Sequence, residues 1–221
     1  MQILSERLAL WFLRLNGFMT IPNFIVHPEG PREDGAYPQQ TDVDVLGVRF
    51  PFRAENRNRP MRDHRLFLSE QHRPMVVLSE VKTGQCSLNG PWTRRESQNM
   101  QKVLCAGGFR PVGQVDAISN VLYEHGIWED ESLVIRIVCF GQQHNRGLAK
   151  SHPAVEQLLW QEDVLPFIYR RFDQYKLEKQ MHHQWDDDAK ELFAEAGRSP
   201  GNDGAQFLQS VEVVSELARA R

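Results

Sequence analysis

The sequence predicts an α/β protein in which a mixed central sheet is flanked by helices. Three patterns support this class: an amphipathic helix opens the chain, three strand-like stretches follow it, and a second helical region precedes a last apolar strand. The chain has 221 residues, of which 41% are hydrophobic and 25% charged, which is typical of a globular protein with a sizeable core. We expect a core domain over residues 1–145 and a helical C-terminal extension over residues 146–221 packed on it.

The first predicted element is a helix over residues 3–16. Its apolar stripe recurs at helical spacing and includes Leu8, Trp11, Phe12 and Leu15. Gly17 is a typical helix stop signal. Glu6 lies near the edge of the stripe, and two interpretations stay open for it. It is either a solvated glutamate favoured by the positive end of the helix dipole, or a member of a functional site.

Three strands are predicted after this helix. Residues 18–27 form an edge strand, because Pro22 cannot donate a hydrogen bond to a central ladder. Residues 28–40 are rich in proline and glycine and are predicted to be a loop. Residues 42–50 form the second strand, and the apolar run that opens residues 76–84 forms the third.

Acidic side chains mark the second and third strands. Asp42 and Asp44 alternate with valines and share one face of their strand, and Glu80 and Lys82 share one face of the next. Buried charges on a strand are costly without partners, so we expect these side chains to reach solvent or a ligand at the strand end. The pattern indicates a divalent-metal site with a built-in cation. The alternative is a surface ion pair between Glu80 and Lys82.

A helix over about residues 91–106 follows, ended by two glycines. Gln98 and Gln101 both lie on this helix, and spacing does not choose between them as a site residue. A short helix over residues 116–123, capped by Asp116, and a last core strand over residues 132–140 complete the predicted core.

The C-terminal extension is predicted to be helical over residues 153–184, 186–196 and 205–220. A kink is expected at Pro166. His182 and His183 precede three aspartates, which could suggest a metal site. Adjacent histidines face different directions on a helix, so capping or solvation is favoured for this cluster.

Charge is distributed unevenly, although the net charge is only −3 and does not indicate a general nucleic-acid binder. Residues 51–73 form the most basic segment, and because they join the two acidic strands we expect them near the site. The segment is either a solvated surface loop or a loop that grips phosphates with arginine forks. The arginines considered for nucleic-acid binding are Arg53, Arg57, Arg59 and Arg62, together with Arg94 and Arg95 from the following helix.

The compartment is predicted from cysteine usage and hydropathy. Cys86, Cys105 and Cys139 are odd in number and lack C-x-x-C spacing, which favours a reduced, cytoplasmic environment. The sequence contains neither a signal peptide pattern nor an apolar run long enough to span a membrane, so we expect no membrane partner.

Several of these motifs, in this order, resemble the PD-(D/E)XK nucleases, and within them the archaeal Holliday-junction resolvase and Mrr-type endonuclease branch. The similarity covers about residues 3–140. A lone E-x-K is common by chance, whereas an E-x-K that ends an apolar strand downstream of D-V-L-G and a glutamate-bearing helix is more specific. The matching stretches are Ser5-Glu6-Arg7-Leu8, Asn16-Gly17-Phe18, Asp44 within Asp44-Val45-Leu46-Gly47, and Glu80-Val81-Lys82.

The resemblance implies a restriction-endonuclease-like core and a metal-dependent endonuclease that acts on DNA in restriction, repair or defence; RNA stays open as a substrate. Mg²⁺ or Mn²⁺ would be held by Asp44, Glu80, the Val81 carbonyl and Glu6. Lys82 would orient the attacking water, assist its deprotonation or stabilise the developing negative charge, and the sequence does not choose among these roles. Gln101 or Gln98 would lie beside it. A second copy of the chain or an activating protein is an expected partner. The alternative is a catalytically silent nucleic-acid-binding or assembly subunit with the same fold.

Overall fold

The fold is built around one mixed six-stranded sheet with helices on both faces. The computed structural model describes residues 1–26, 43–60, 62–68, 72–180, 183–199 and 204–215. The predicted loop over residues 28–40 and the residues Asp42 and His182 lie outside these ranges. The predicted α/β class with a mixed central sheet is confirmed.

The strands of the described chain are short to moderate in length. They are β1 (Gln2–Leu4), β2 (Met19–Phe24), β3 (Val43–Arg49), β4 (Met75–Val81), β5 (Ile127–Glu129), β6 (Val134–Gly141), β7 (Glu156–Leu159) and β8 (Glu212–Val214).

The α-helices lie between these strands, singly or in groups. They are α1 (Ser5–Leu15), α2 (Gly90–Thr93), α3 (Asn99–Gly107), α4 (Val112–His125), α5 (Arg146–Ser151), α6 (Leu165–Gln174), α7 (Lys176–Lys179), α8 (Asp187–Arg198) and α9 (Ala205–Ser210). Short 3-10 turns occur at Arg65–Phe67 and Arg95–Ser97, and one π-helical turn spans Trp160–Val164.

The main sheet has the order β2-β3-β4-β6-β5. Strands β2, β3 and β4 are antiparallel neighbours, whereas β4 and β6 run parallel. Strand β7 pairs in parallel with the later residues of β6, and β5 pairs antiparallel with its earlier residues. Because β4 occupies the other side of β6, β5 and β7 follow one another along a single edge of β6.

Each face of the sheet has its own apolar core. On one face, α1, α6 and α8 pack against strand residues that include Val45, Val77 and Val138. On the other face, α3 and α4 pack against residues that include Leu78 and Ile137. The alternation of Val77 and Leu78 between the two cores is the period of two expected of a strand buried on both faces.

The first helix follows its sequence pattern closely. Leu8 and Phe12 are fully buried on the α1 stripe, and Gly17 adopts the left-handed conformation after the helix, with φ of 84°. The predicted start at residue 3 is wrong, because Gln2–Leu4 pairs in parallel with Glu212–Val214. The backbone of these residues bonds to a distant part of the chain, which local periodicity does not reveal.

The prediction of a helical C-terminal extension needs correction. Residues 153–184 contain the strand β7 and the π-helical turn before α6 begins at Leu165. In the described part of the last predicted helix, residues 205–215, a short helix is followed by the strand β8. The short helix predicted at residue 116 begins at Val112 after Pro111, so Asp116 lies inside α4 and is not its cap. A proline with its fixed φ is well suited to precede a helix.

The residues after 145 are part of the same fold as those before. Strand β7 extends the main sheet, α6 packs on α1, and β8 pairs with β1. The amino group of Met1 donates a hydrogen bond to the Ser210 carbonyl oxygen at 2.5 Å. Within the parts of the chain that the structure describes, no helix combines the length and apolar character needed to cross a membrane.

Candidate active site

Asp44 and Glu80 lie near each other at one end of the β3–β4 pair. Val45 and Ser79 are the last register partners at this end of the antiparallel ladder, and Asp44 and Glu80 are the residues just beyond them. The Asp44 charge acts on the Glu80 carboxyl, so the two carboxylates are close together. Glu80 shares the face of Leu78, which is the face covered by α3 and α4.

The Glu80 carboxyl is almost completely buried, with 1% of the residue exposed. Burial, followed by the neighbouring Asp44 charge, raises the pKa of Glu80 to about 7, although Lys82 and the Trp92 indole act in the opposite direction. Oxygen Oε1 accepts a hydrogen bond from the Lys82 ammonium, whereas the buried Oε2 has no hydrogen-bond partner among the described residues. Trp92 Nε1 lies near this carboxyl but does not meet hydrogen-bond geometry. A buried carboxylate oxygen without a donor is well suited to accept a cation.

Asp44 is fixed by the backbone of the neighbouring strand. Its Oδ2 accepts a hydrogen bond from the Val81 backbone N–H at 2.6 Å. The carboxylate therefore crosses the end of the β3–β4 ladder and lies beside the segment that carries Glu80 and Lys82. Two carboxylates and one ammonium are thereby brought together at one end of the sheet.

Lys82 follows directly after β4 and is held at both its backbone and its side chain. Its N–H donates to the Phe140 carbonyl at 2.9 Å, and its own carbonyl accepts from Trp160 Nε1 at 3.0 Å. Its side chain is 24% exposed, so the ammonium reaches solvent while it contacts the buried Glu80. This position lets one cation serve as partner to Glu80 and remain accessible to an incoming anion.

Glu6 approaches the same strand end from the helical layer on the other face. Together with Val81, Lys82 and Ser215 it lines a cavity of about 240 Å³. Among the described residues, however, no three His, Cys, Asp or Glu side chains form a group able to hold a metal. The layering contributes to this, because α1 packs on the face of Val77, whereas Glu80 lies on the face of Leu78.

The two glutamines considered for the site differ in position. Gln98 is exposed, and its backbone adopts the left-handed conformation with φ of 52°. It precedes α3 and does not lie within it. Gln101 lies within α3, on the layer that covers the Glu80 face, and its buried Oε1 finds no hydrogen-bond partner in the described part of the chain. Of the two glutamines, Gln101 is therefore the better candidate for the site residue.

The expectation that the basic loop lies beside Asp44 and Glu80 is wrong. Because β3 and β4 are antiparallel, the loop leaves β3 at Arg49 and enters β4 at Met75, which is the opposite end of the ladder. Asp44 and Arg49 are five residues apart on one strand, or about 17 Å at the usual rise per residue.

Arg53 belongs to a buried ion network at that opposite end. Its guanidinium contacts Asp63, at 2.6 Å, and Glu55. Arg49 and Arg171 share the same Asp63 carboxylate, and both arginines are nearly fully buried. Asp63 therefore connects the loop to α6 through Arg171, and Arg53 is a further partner of the same carboxylate; phosphate contact by Arg53 stays a prediction.

The other predicted nucleic-acid contacts are at the surface. Arg59 lies 5.2 Å over the Tyr175 ring and 3.6 Å from Glu178, and Arg95 lies 3.5 Å from Glu124. Exposed side chains without such a pair in the described chain include Arg57, Arg62 and Arg94. Arg57, Arg59 and Arg62 belong to the loop that starts at the opposite end of the β3–β4 ladder, whereas Arg94 and Arg95 follow Trp92, which lies beside Glu80.

Two tryptophans at the site were not predicted from the sequence. Trp92 in α2 is 3% exposed and lies beside Glu80, and Trp160 is fully buried and bonds to the Lys82 carbonyl. The ring of Trp160 stacks on Phe140 with centroids 5.6 Å apart. Trp160 is 78 residues from Lys82, so no local pattern signals its role.

Comparisons with known proteins do not identify a relative. No family model matches the chain, and no curated protein or solved structure matches it. The nuclease resemblance thus depends on the motif residues and their order in the sequence.

Proposed function

We propose that the protein is a metal-dependent phosphodiesterase of the endonuclease type with a restriction-endonuclease-like core, and that DNA is its substrate. The observation that carries this proposal is the proximity of Asp44 and Glu80 at the end of the β3–β4 pair, where Asp44 bonds to the Val81 N–H and Lys82 bonds to Glu80. Two acidic oxygens and an ammonium at a solvent-accessible strand end match the needs of phosphate ester hydrolysis.

The donor set fits a hard cation. Asp44 and Glu80 would hold Mg²⁺ or Mn²⁺ through carboxylate oxygens, the Val81 carbonyl would add a backbone ligand, and Glu6 would act from the rim through water. Such an ion supplies charge neutralisation at the phosphate and a more acidic bound water. The raised pKa of Glu80 supports this assignment, because a nearby cation would relieve the charge repulsion between the two carboxylates.

Each side chain then has a defined part in the reaction. Lys82 orients the attacking water and stabilises negative charge that develops on the phosphoryl oxygens. Trp160 positions Lys82 through its carbonyl, and Gln101 contributes a polar atom from the α3 layer. The carboxylate of Asp44 stays aligned because it accepts from the Val81 N–H.

The test is a cleavage assay on supercoiled plasmid, linear DNA, branched DNA and RNA with Mg²⁺, Mn²⁺ or EDTA. We expect cutting that depends on the metal and falls by about 100-fold or more in Lys82→Ala and Asp44→Ala, because each removes a group that acts on developing charge. Lys150→Ala is the matched control, since Lys150 is an exposed lysine on α5.

The proposal fails if the wild-type protein and Lys82→Ala cut equally, or if EDTA leaves cutting unchanged. Circular dichroism of each variant separates lost chemistry from lost folding. A second copy of the chain is one of the expected partners. Repeating the assay over a range of protein concentrations tests whether cutting requires a homodimer.

A catalytically silent nucleic-acid-binding or assembly subunit is the second candidate. One observation favours it: no three-carboxylate metal group forms among the described residues. Binding to DNA that persists with EDTA, without cutting under any metal condition, is the outcome expected for this alternative.

A further inference from the structure

A second polar cavity lies away from the proposed active site. Its volume is about 580 Å³, and it opens between the segment before β4 and the helix α6. Arginines from both segments line it, namely Arg62, Arg65, Arg170 and Arg171, together with His64 and Phe167. This clustering was not anticipated, because Arg170 and Arg62 are 108 positions apart in sequence.

The carboxylates in the cavity wall are largely engaged. Asp63 binds three arginines, of which Arg171 lines the cavity. The other two, Arg49 and Arg53, lie outside its lining. Asp163 accepts from the Leu159 N–H at 3.0 Å through one oxygen and lies 3.4 Å from Arg65 through the other. Glu162 is exposed. Four lining arginines thus face three lining carboxylates, and one of these, Asp63, is shared with two arginines outside the wall, so the wall keeps a positive balance.

Two of the lining arginines are available to a ligand. Arg62 and Arg170 are exposed and make no side-chain ion pair with any described residue. His64 is buried and accepts from the Leu66 N–H through Nδ1, so its neutral ring presents an Nε2–H donor on the side of Asp163. Donors of this kind on two facing segments suit a phosphate group.

The cavity and the proposed active site lie at opposite ends of α1. Ser5 and Glu6 at the start of the helix line the Lys82 cavity, whereas Asn16 after its end accepts from the His64 N–H at 2.7 Å. Eleven helical residues separate the two ends, which corresponds to about 16 Å. The two cavities share no lining residue.

We propose that this cavity binds a nucleotide-sized phosphate ester, with Arg62 and Arg170 gripping the phosphate from two sides. Its volume falls in the range of about 300 to 1,000 Å³ usual for small-molecule sites, and it exceeds what inorganic phosphate alone would fill. The concave shape favours a small ligand over the backbone of a duplex. The proposal is independent of the proposed nuclease activity.

Isothermal titration calorimetry of the full chain with ATP, AMP and inorganic phosphate tests this site. We expect saturable binding of a nucleotide, tighter than that of inorganic phosphate. Arg62→Ala and Arg170→Ala should each weaken binding by about tenfold or more, because each removes a charge-assisted hydrogen bond. Arg146→Ala, an exposed arginine on α5, and Lys82→Ala should bind as the wild type does.

Three outcomes would overturn the proposal. One is the absence of saturable binding of both nucleotides at millimolar concentration. Another is nucleotide binding that both arginine substitutions leave unchanged in folded protein. The third is binding of a short DNA duplex that depends on Arg62 and Arg170 without nucleotide binding, which would make this surface a nucleic-acid contact instead. The variants Arg62→Lys and Arg170→Lys, which retain charge, should bind with intermediate affinity.

Discussion

At the scale of single residues, Glu80 is the group most strongly affected by its surroundings in the proposed active site. Its carboxyl is buried beside Asp44, and one of its oxygens has no hydrogen-bond partner. Glu80→Gln keeps the size of the side chain and removes its charge. We expect Mn²⁺ binding, measured by calorimetry, to weaken by about 10- to 100-fold or more, since a direct ligand matters at least as much as its supporting groups.

Glu124→Gln is the control for that measurement, because Glu124 is an exposed glutamate paired with Arg95. Equal Mn²⁺ affinity for wild type and Glu80→Gln would count against a metal at this position.

Trp160 gives a second prediction at the residue scale. Trp160→Phe should retain the stacking on Phe140 and lose the hydrogen bond to the Lys82 carbonyl. We expect a loss of about 1 kcal/mol in the free energy of unfolding, measured by urea denaturation, and lower cleavage activity. Trp11→Phe removes a comparable indole bond to Asp186 and should cost similar stability without the loss of activity.

His64 predicts a pH dependence of stability. Burial is the main reason that the pKa of His64 falls from 6.5 to about 4, with Arg65 and Arg170 acting in the same direction and Asp163 against them. The unfolded chain therefore binds this proton more readily than the folded chain. The stability contribution is complete above pH 6.5 and is lost as pH falls toward 4, by about 3 kcal/mol in total.

Urea denaturation at a series of pH values measures this effect. Between pH 7 and pH 4 the wild type should lose about 3 kcal/mol more than His64→Gln, which cannot gain a charge. Stability curves that stay parallel across this range would show that His64 does not control acid unfolding.

At the scale of elements, the ion network centred on Asp63 joins the loop before β4 to α6. Asp63 is the common partner of Arg49, Arg53 and Arg171. Asp63→Ala would leave buried guanidinium groups uncompensated, so we expect a loss of about 3 to 5 kcal/mol, measured by chemical denaturation. Asp187→Ala provides the comparison, because the Asp187 side chain is 95% exposed and its loss should change stability by less than about 0.5 kcal/mol.

The elements also explain what the sequence could and could not predict. The α1 stripe and the apolar run of β4 are local patterns with a period, and both were found. Strand β7 was interpreted as helix because Leu158 and Leu159 fit either period, and only pairing with β6 decides between them. The position of the basic loop depended on strand direction, which alternation within one strand does not encode.

The site residues also differ in whether a local sequence pattern can predict their position. Alternation placed Glu80 and Lys82 on one face, but the pairing of Asp44 with Glu80 depends on the register between two strands. The contribution of Trp160 comes from a segment outside the motif similarity. Gln101 lies within α3 and Gln98 does not, because the helix begins at Asn99. Sequence propensity locates such a helix boundary poorly.

At the scale of the whole molecule, the residues after 145 complete the core rather than form a separable extension. They supply β7 to the main sheet and the buried side chains Trp160, Phe167 and Phe172 to the core around α1. We expect a chain ended after residue 145 to lack cooperative thermal unfolding, because it would expose the apolar surface of α1. Circular dichroism with a temperature scan measures this.

A chain ended after residue 215 is the matched comparison, because it retains β8 and its pairing with β1. It should unfold cooperatively at nearly the temperature of the full chain. Cooperative unfolding of the shorter chain near that same temperature would mean that residues 1–145 fold independently.

The indoles on either side of the β4 end also provide an optical signal. Of the five tryptophans in the chain, Trp92 lies beside the Glu80 carboxyl and Trp160 bonds to the carbonyl of Lys82. Indole emission responds to nearby charge, so ion entry should alter the fluorescence of the unlabelled protein. The change in fluorescence on adding the ion should be measured in Trp92→Phe and in Trp160→Phe. The variant in which this change is lost identifies the tryptophan nearer to the ion.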